Sequence, residues 1–225
     1  MTALCAWLSS HGSSCLELVA VIFGVVSVLF SVRENIWSWP TALVNVALYF
    51  ALFQTAGLYS DMGLQVVYFV LSLYGWYEWL YGGKGRTALT VSRTPGRLWA
   101  ILAGIGVVVW AILGRLTSGL PGVALPYVDA ATTTISLVAQ YMMTRKLLEN
   151  WALWIAVDVV YVGMFIFKGL YLTAGNYAIY FVLAVMGHLA WKKSLAEHRT
   201  SVATSEGAIS VVAGPPVHPS THPPG

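Results

Sequence analysis

The sequence predicts an all-α integral membrane protein with seven transmembrane helices. Of its 225 residues, 58% are hydrophobic and only 9% are charged, whereas a soluble domain carries about 25% charged residues. Seven apolar stretches approach the length of about 20 residues that a helix needs to cross the hydrocarbon core of a bilayer. They lack the alternation of polar and apolar residues that barrel strands show. Backbone hydrogen bonding inside a bilayer then requires helices.

The seven predicted helices occupy most of the chain between residues 16 and 191. They cover residues 16–32, 38–54, 63–80, 97–113, 122–142, 148–167 and 171–191. The first helix follows an external segment, residues 1–15, which lacks the basic start and apolar core of a cleavable signal peptide. That segment holds both cysteines of the chain, Cys5 and Cys15. A disulfide between them requires an oxidising compartment, and from the sequence alone we expect two unpaired thiols.

Helices 2 and 3 recur in sequence as helices 6 and 7. Residues 39–79 and 151–191, aligned without gaps, agree at thirteen of forty-one positions. Ordered runs at one offset of 112 positions indicate a duplicated unit. The matches include Trp39/Trp151, Tyr49/Tyr161, Phe53/Phe165, the run Tyr68-Phe69-Val70-Leu71 against Tyr180-Phe181-Val182-Leu183, Gly75/Gly187 and Trp79/Trp191. Helices 1 and 5 complete two units, about 16–80 and about 122–191, which leaves helix 4 (97–113) as a connector.

Basic residues predict the orientation of the chain. With the N-terminus outside, ten of the twelve Lys and Arg residues lie inside, and only Arg115 and Lys168 lie outside. The ten are Arg33, Lys84, Arg86, Arg93, Arg97, Arg145, Lys146, Lys192, Lys193 and Arg199. This asymmetry predicts an external N-terminus and a cytoplasmic C-terminus. Topology explains the net charge of +3, so no nucleic-acid partner is expected. Helices 2 and 6 then run in the same direction, which makes the units parallel repeats.

Several polar residues lie inside the predicted helices. Asn45 of helix 2 and Asp158 of helix 6 lie at similar depth. A carboxylate at the bilayer centre costs at least about 2.5 kcal/mol, so it normally faces a cavity or a partner. The alternative for both residues is a hydrogen bond between helices. Gln65 lies one turn inside helix 3. Helix 5 has a polar face that either lines a pore or packs on a neighbour: Asp129, Thr132, Thr133, Ser136 and Gln140.

Eight of the ten tryptophans lie toward the predicted cytosolic ends of helices. They are Trp37, Trp39, Trp76, Trp79, Trp99, Trp151, Trp154 and Trp191. An aromatic belt at headgroup level explains Trp37, Trp99 and Trp191. Trp76 and Trp154 lie one turn deeper, and neither has a tryptophan at its repeat-related position. They either belong to the belt or stack on a flat aromatic ligand, where a cationic ring would gain about 0.5–2 kcal/mol.

The chain lacks the sequence signatures of an enzyme. We find no Gly-rich phosphate loop, no His/Cys metal spacing and no nucleophile with its base, so we expect no catalysis, no cofactor, no metal and no ATP-driven transport by this chain alone. Seven helices suggest a receptor, but an internal repeat favours a transporter with two halves around one site. Residues 194–225, which end in a Pro- and His-rich stretch, are expected to be a disordered cytoplasmic tail.

Motifs in both repeats resemble the PnuC family of vitamin transporters. They are Glu34-Asn35-Ile36-Trp37-Ser38-Trp39-Pro40, Gly57-Leu58-Tyr59 and Tyr74-Gly75-Trp76-Tyr77-Glu78-Trp79 in the first repeat, and Trp151-Ala152-Leu153-Trp154, Asp158, Lys168-Gly169-Leu170-Tyr171 and Gly187 in the second. The similarity covers roughly residues 16–193. It implies a SWEET-like fold of three plus one plus three helices, commonly a homotrimer. Such a protein would move nicotinamide riboside across the bacterial inner membrane by facilitated diffusion, and cytosolic phosphorylation would trap the substrate for NAD biosynthesis.

The resemblance also implies which residues contact the substrate. They are Asn45, Gln65, Trp76, Trp154, Asp158 and Tyr161, with Thr133 and Gln140 in addition. Related members carry thiamine or riboflavin. Because thiamine is also cationic and aromatic, Asp158 and the tryptophans do not separate it from nicotinamide riboside. A membrane receptor of the same fold that transports nothing is the other alternative.

Overall fold

The structure, a computed structural model, describes residues 15–56, 59–119, 125–167, 169 and 171–213. These residues form seven α-helices, and within them the β-structure is one isolated bridge between Ser92 and Leu147. The helices are α1 Cys15–Val32, α2 Ser38–Ala56, α3 Tyr59–Tyr81, α4 Gly96–Thr117, α5 Pro126–Thr144, α6 Asn150–Phe167 and α7 Tyr171–Ala213. The prediction of an all-helical chain with seven helices is confirmed.

Four of these helices are long and apolar enough to cross a membrane by length and composition alone. They are α1, α4, α6 and the segment Thr173–Ser201 of α7. The other three, α2, α3 and α5, carry more polar side chains, such as Asn45, Gln65 and Gln140. The sequence predicts that these three helices also span the membrane, which requires their polar residues to face the protein interior rather than lipid.

Contacts between helices follow a regular pattern. Helix α2 packs on both α1 and α3, and α6 packs in the same way on both α5 and α7. Across these groups, α1 packs on α7 and α3 packs on α5. Among the described helices, α4 packs only on α5, which leaves large apolar side chains such as Ile101, Ile105 and Ile112 exposed.

The turn between α1 and α2 and the turn between α5 and α6 are built alike. The N–H groups of Glu34 and Asn35 donate to carbonyls of the last turn of α1, at 3.0 and 2.9 Å. Those of Lys146 and Leu147 do the same at the end of α5, at 3.1 and 3.0 Å. Both patterns are Schellman caps. Glu34 and Lys146 are 112 positions apart and both have positive φ, 54° and 47°.

A buried cluster of four tryptophans, the tryptophan quartet, forms the core at this end of the molecule. It consists of Trp39, Trp79, Trp151 and Trp191. The pairs Trp39–Trp79 and Trp151–Trp191 are edge-to-face, each with ring centroids 5.3 Å apart. Trp79 and Trp191 join the pairs at 5.9 Å. The belt assignment of Trp191 is therefore wrong, since its side chain is 0% exposed; Trp37, in contrast, is 61% exposed.

Two of the glycines shared by the repeats make this packing possible. A Cβ on Gly75 would overlap the ring of Trp39. At the repeat-related position, a Cβ on Gly187 would lie 2.5 Å from ring atoms of Trp151. Each glycine thus allows a helix backbone to lie directly against an indole ring.

Two expectations from the sequence differ from the structure. The expected tail began at residue 194, but α7 continues to Ala213. Residues 194–213 contain no proline and one glycine, and Lys193 pairs with Glu197 one turn later at 3.8 Å, so the helix has little reason to stop. The expectation of unpaired thiols is wrong for Cys15, which is in a disulfide bond. Residues 1–14, which include Cys5, lie outside the described residues, and so do residues 214–225.

Candidate functional site

A cavity of about 430 Å³ lies between the helices of the two repeated segments. This volume falls in the range of about 300–1,000 Å³ that is usual for small-molecule sites. Its lining comes from α1, α2, α3, α5, α6 and α7. At one end the cavity is lined by Trp39 and Trp151 of the tryptophan quartet together with Ser31, Ser38 and Met143, and it extends toward Asp61 and Asn176 in the first two turns of α3 and α7.

Asp158 lines this cavity from the middle of α6. Its side chain is buried, with 4% of the residue exposed. Among the described residues it has no hydrogen-bond or ion-pair partner, so the interhelical bond considered as an alternative is not present there. A buried carboxylate without a partner is costly, and a cation inside the cavity would remove that cost.

Asn45 also lines the cavity, and its amide nitrogen is already engaged. Asn45 Nδ2 donates to the carbonyl of Ala20 on α1 at 2.7 Å. The helices approach closely here because α1 has Gly24 at the contact. A Cβ on Gly24 would lie 2.9 Å from Asn45 Nδ2 and 2.5 Å from Tyr180 Oη. Asn45 therefore both links two helices and presents polar atoms to the cavity.

The polar face of α5 reaches the cavity through Ser136 and Gln140, which are one turn apart. Gln65 and Tyr68 line the cavity from α3, the helix that packs on α5. Thr133 does not line the cavity. Seven residues advance a helix by nearly two full turns, so Thr133 lies on nearly the same face of α5 as Gln140 but further along the helix.

The aromatic candidates divide between the cavity and the core. Trp154 of α6 lines the cavity. Trp76 does not: it lies one turn beyond Ser72, the last lining residue of α3, and packs against the tryptophan quartet. Tyr161 lines the cavity and stacks with Tyr177, with ring centroids 4.6 Å apart.

The charges on the lining are acidic. Asp61 and Asp158 line the cavity, and none of the lining residues that the structure describes is Lys, Arg or His. Such a lining attracts a cation and opposes a phosphate group. The chemistry of the cavity thus fits a cationic, aromatic small molecule that carries no phosphate.

Several lining residues were not among the sequence candidates. They are Ser27, Tyr49, Tyr68, Ser136, Asn176, Tyr177 and Tyr180. Tyr68 and Tyr180 belong to the Tyr-Phe-Val-Leu runs of the repeat, so the repeat was a signal that they occupy related places. Ser136 belongs to the polar face that the sequence shows on α5, and Asn176 lies near the start of α7.

The profile of a protein family described as "Nicotinamide mononucleotide transporter" matches residues 14–193 of this chain. The match covers all seven helices except the last part of α7. It also covers every residue that lines the cavity.

Individual proteins give the same result. The chain is 29% identical over 211 residues to the nicotinamide riboside transporter PnuC of Escherichia coli (strain K12), which covers 82% of this chain and 87% of that protein. It is 29% identical over 198 residues to the riboflavin/roseoflavin transporter RibM of Streptomyces davaonensis, covering 85% and 90%. A crystal structure of the vitamin B3 transporter PnuC superposes with a TM-score of 0.66 at 27% identity, covering 86% of this chain and 87% of the other.

Proposed function

This chain belongs to the nicotinamide mononucleotide transporter family and is a multi-pass bacterial membrane transporter of the vitamin-uptake type, and from that premise we propose that it carries nicotinamide riboside by facilitated diffusion. The observation that carries the proposal is Asp158, a buried and unpartnered carboxylate on the cavity wall. Nicotinamide riboside has a flat pyridinium ring with a positive charge. Asp158 would offset that charge, and Trp154 beside the cavity offers a face for cation–π contact.

Charge also separates the candidate substrates. The mononucleotide carries a phosphate, which the acidic lining opposes, whereas the riboside does not. Riboflavin is the second candidate, because the relative RibM is as similar to this chain as the Escherichia coli relative is. Riboflavin is uncharged, however, and would leave Asp158 without a counter-charge. Thiamine is cationic and meets the same electrostatic requirement as nicotinamide riboside.

Facilitated diffusion with trapping fits the absence of an energy-coupling motif from the sequence. A carrier of this kind only brings the substrate to electrochemical equilibrium across the membrane. Phosphorylation in the cytosol would add charge that the acidic cavity opposes, so the product would not return. We propose that a cytosolic riboside kinase supplies this step.

We further propose that α1–α3 and α5–α7 are two parallel three-helix repeats, with α4 as the connector. Three features recur at the offset of 112 positions. They are the similar turns after α1 and α5, the two edge-to-face tryptophan pairs, and the packing of α1 on α7 and of α5 on α3. Contacts of this kind are expected around a pseudo-two-fold axis along the membrane normal. In this arrangement the residues on the axis-facing sides of both repeats, Asn45, Gln65, Gln140, Trp154, Asp158 and Tyr161, bind the substrate.

The family resemblance implies a homotrimer, and α4 suits such an assembly. It packs only on α5 among the described helices and exposes apolar side chains along most of its length. We propose that this surface faces neighbouring protomers and lipid. Native mass spectrometry of the protein released from detergent micelles would show a trimer, and a monomer alone would contradict it.

Radiolabelled uptake into proteoliposomes tests the substrate and the mechanism together. In vesicles without kinase, with the membrane potential held at zero by valinomycin and equal potassium on both sides, nicotinamide riboside should enter until the inner and outer concentrations are equal. In vesicles loaded with a riboside kinase and ATP, uptake should exceed that level. Excess unlabelled thiamine, riboflavin and nicotinamide mononucleotide serve as competitors, with the mononucleotide expected to compete least.

Three outcomes would contradict the proposal. Uptake no greater than in empty vesicles, together with normal thiamine or riboflavin uptake, would assign another vitamin. At zero membrane potential, accumulation above the external concentration without kinase would contradict facilitated diffusion. Tight binding without any flux would favour the receptor.

A further inference from the structure

The cavity is closed at the end where the tryptophan quartet lies. Trp39 and Trp151 line this end, and Trp79 and Trp191, which do not line the cavity, are in contact across the two repeated segments. Each of these inner indoles is fixed to the other segment. Trp79 Nε1 donates to the carbonyl of Met143 at 3.0 Å, and Trp191 Nε1 donates to the carbonyl of Ser31 at 2.9 Å. No substrate passes this end while the quartet stays closed.

An ion pair lies directly against the quartet. Lys146 Nζ is 3.0 Å from Glu34 Oε2 and 4.5 Å from the centroid of the Trp79 ring. Lys146 is 6% exposed. The pair joins the α1–α2 turn to the α5–α6 turn, and it therefore connects the two repeated segments where the cavity is closed.

The backbone at both residues is in a conformation that glycine would adopt more easily. Glu34 and Lys146 occupy the left-handed position of the helix caps, where Gly is the usual residue. For a residue with a side chain this conformation costs about 1 kcal/mol or more. Glycine would make the same turns without that cost, but it would remove the ion pair. The charged side chains are thus retained against the local preference of the backbone.

We propose that Glu34 and Lys146 form the latch of a gate whose plug is the tryptophan quartet. This inference rests on the proposed transport function. Alternating access requires the closed end of the cavity to open for release. Opening separates the two turns, which breaks the ion pair and the contact between Trp79 and Trp191. In the proposed orientation this gate faces the cytoplasm.

The exposure of the pair suits a contact that opens repeatedly. The Glu34 side chain is 23% exposed while that of Lys146 is 8% exposed, so water reaches the carboxylate as soon as the turns begin to separate. A second ion pair, Arg145 to Glu78 at 2.8 Å, also joins the α5–α6 turn to α3, but the Arg145 side chain is 39% exposed. The Arg145 pair is partly hydrated and contributes little net stability, so the more buried pair of Glu34 and Lys146 is the one that holds this end closed.

Reversible cross-linking tests the latch. The variant Glu34→Cys/Lys146→Cys is made in a background with Cys5→Ser and Cys15→Ser and is linked with a short bis-methanethiosulfonate reagent. Linking should lower nicotinamide riboside flux into proteoliposomes by about ten-fold or more, because the closed end of the cavity has to open in each transport cycle. Dithiothreitol should restore the flux. Binding of nicotinamide riboside to the linked protein in detergent should remain.

The matched control is Lys193→Cys/Glu197→Cys in the same background. These residues form an ion pair of the same type within α7, at 3.8 Å, and both side chains are exposed. Linking them should leave the flux unchanged. Undiminished flux through the linked 34/146 variant would overturn the latch, and so would a 34/146 pair that does not link while the 193/197 pair does. If the unlinked variant without Cys5 and Cys15 shows no flux while the native chain does, the experiment is repeated with both native cysteines kept. If the native chain shows no flux either, the proposed transport function is contradicted, and the gate with it.

Discussion

At the scale of single residues, Asp158 combines three properties that rarely occur together. It lies in the middle of an otherwise apolar helix, it is buried, and it has no partner among the described residues. A carboxylate that served only to hold helices together would be expected to have a hydrogen-bond donor or a cation beside it. Its place on the cavity wall instead makes it available to a ligand.

Replacing Asp158 with Asn should weaken the binding of nicotinamide riboside by about 10–100-fold. Opposite unit charges about 4 Å apart in a medium with an effective dielectric constant of about 20 attract by about 4 kcal/mol, and desolvation offsets part of this. A binding titration on the purified protein measures the effect. The free energy of unfolding should not fall, because the substitution breaks no contact that the structure describes.

Asp129→Asn is the matched control for that substitution. Asp129 is exposed on α5 and does not line the cavity, so its replacement should change the dissociation constant by no more than about two-fold, as surface substitutions usually do. Equal losses of binding in both variants would argue against a specific role for Asp158. A variant of Asp158 that neither folds nor binds would make the residue structural.

Trp154 and Trp76 should differ in their effect on binding, although the sequence placed them at comparable depth. Trp154→Ala should weaken the binding of nicotinamide riboside by about 2–30-fold, the equivalent of a cation–π contact of about 0.5–2 kcal/mol, and Trp154→Phe should weaken it less. Trp76→Phe should leave the dissociation constant unchanged, because Trp76 packs on the tryptophan quartet outside the cavity. Titrations on the three variants decide the matter, and a larger loss for Trp76→Phe would reverse the assignment.

The sequence predicts the depth of a residue in the membrane better than the face of the helix on which it lies. Asn45 and Asp158 were placed by depth, and both line the cavity. Thr133 and Ser136 belong to the same polar face of α5, but only Ser136 lines the cavity. Helices that are apolar nearly all round give a weak signal for which side faces inward. Which of these residues face the cavity is therefore known only when the positions of the neighbouring helices are known.

At the scale of helices, the glycines shared by the repeats set the spacing of α3 on α2 and of α7 on α6. Gly187→Ala should lower the free energy of unfolding by about 1–3 kcal/mol, as overpacking of a core does, because the added methyl group meets the ring of Trp151. Equilibrium unfolding in mixed micelles, followed by tryptophan fluorescence, measures this. Gly75→Ala should behave in the same way, since its Cβ would meet Trp39.

Gly163→Ala on α6 provides the control for these substitutions. A Cβ on Gly163 has no atom within 4 Å, so the substitution should leave stability unchanged or raise it by up to about 1 kcal/mol through helix propensity. If Gly187→Ala were as stable as Gly163→Ala, the close packing of helix on indole would not contribute to the core.

Helix positions were predicted closely where the apolar signal ends sharply, and less well elsewhere. The first two helices begin and end within about two residues of the predicted bounds. The last helix was predicted to end at residue 191, where the apolar run stops, but an amphiphilic segment with Lys193 and Glu197 continues the helix. Hydropathy reports the boundary of the membrane, and a helix that leaves the membrane does not have to end there.

At the scale of the whole molecule, contacts between the repeated segments reveal related positions that identical residues do not. Glu34 and Lys146 differ in sequence, yet they occupy related places, share one backbone conformation and bind each other. A comparison of residue types alone finds no match at this position. In the proposed arrangement of two repeats, an ion pair between equivalent positions needs opposite charges, so the two copies must have diverged here.

The orientation of the chain is the remaining property of the whole molecule, and two independent observations favour an external N-terminus. Ten of twelve basic residues then lie inside, and Cys15, at the start of α1, is in a disulfide bond, which an oxidising compartment favours.

Alkaline phosphatase fused after Ala213 should therefore be inactive in a bacterial host, and a fluorescent protein fused there should fluoresce. The same phosphatase fused after Ser118, at the end of α4, should be active, because four helices return the chain to the outer side. An active phosphatase after Ala213 with an inactive one after Ser118 would invert the orientation, and the gate formed by Glu34 and Lys146 would then face outward.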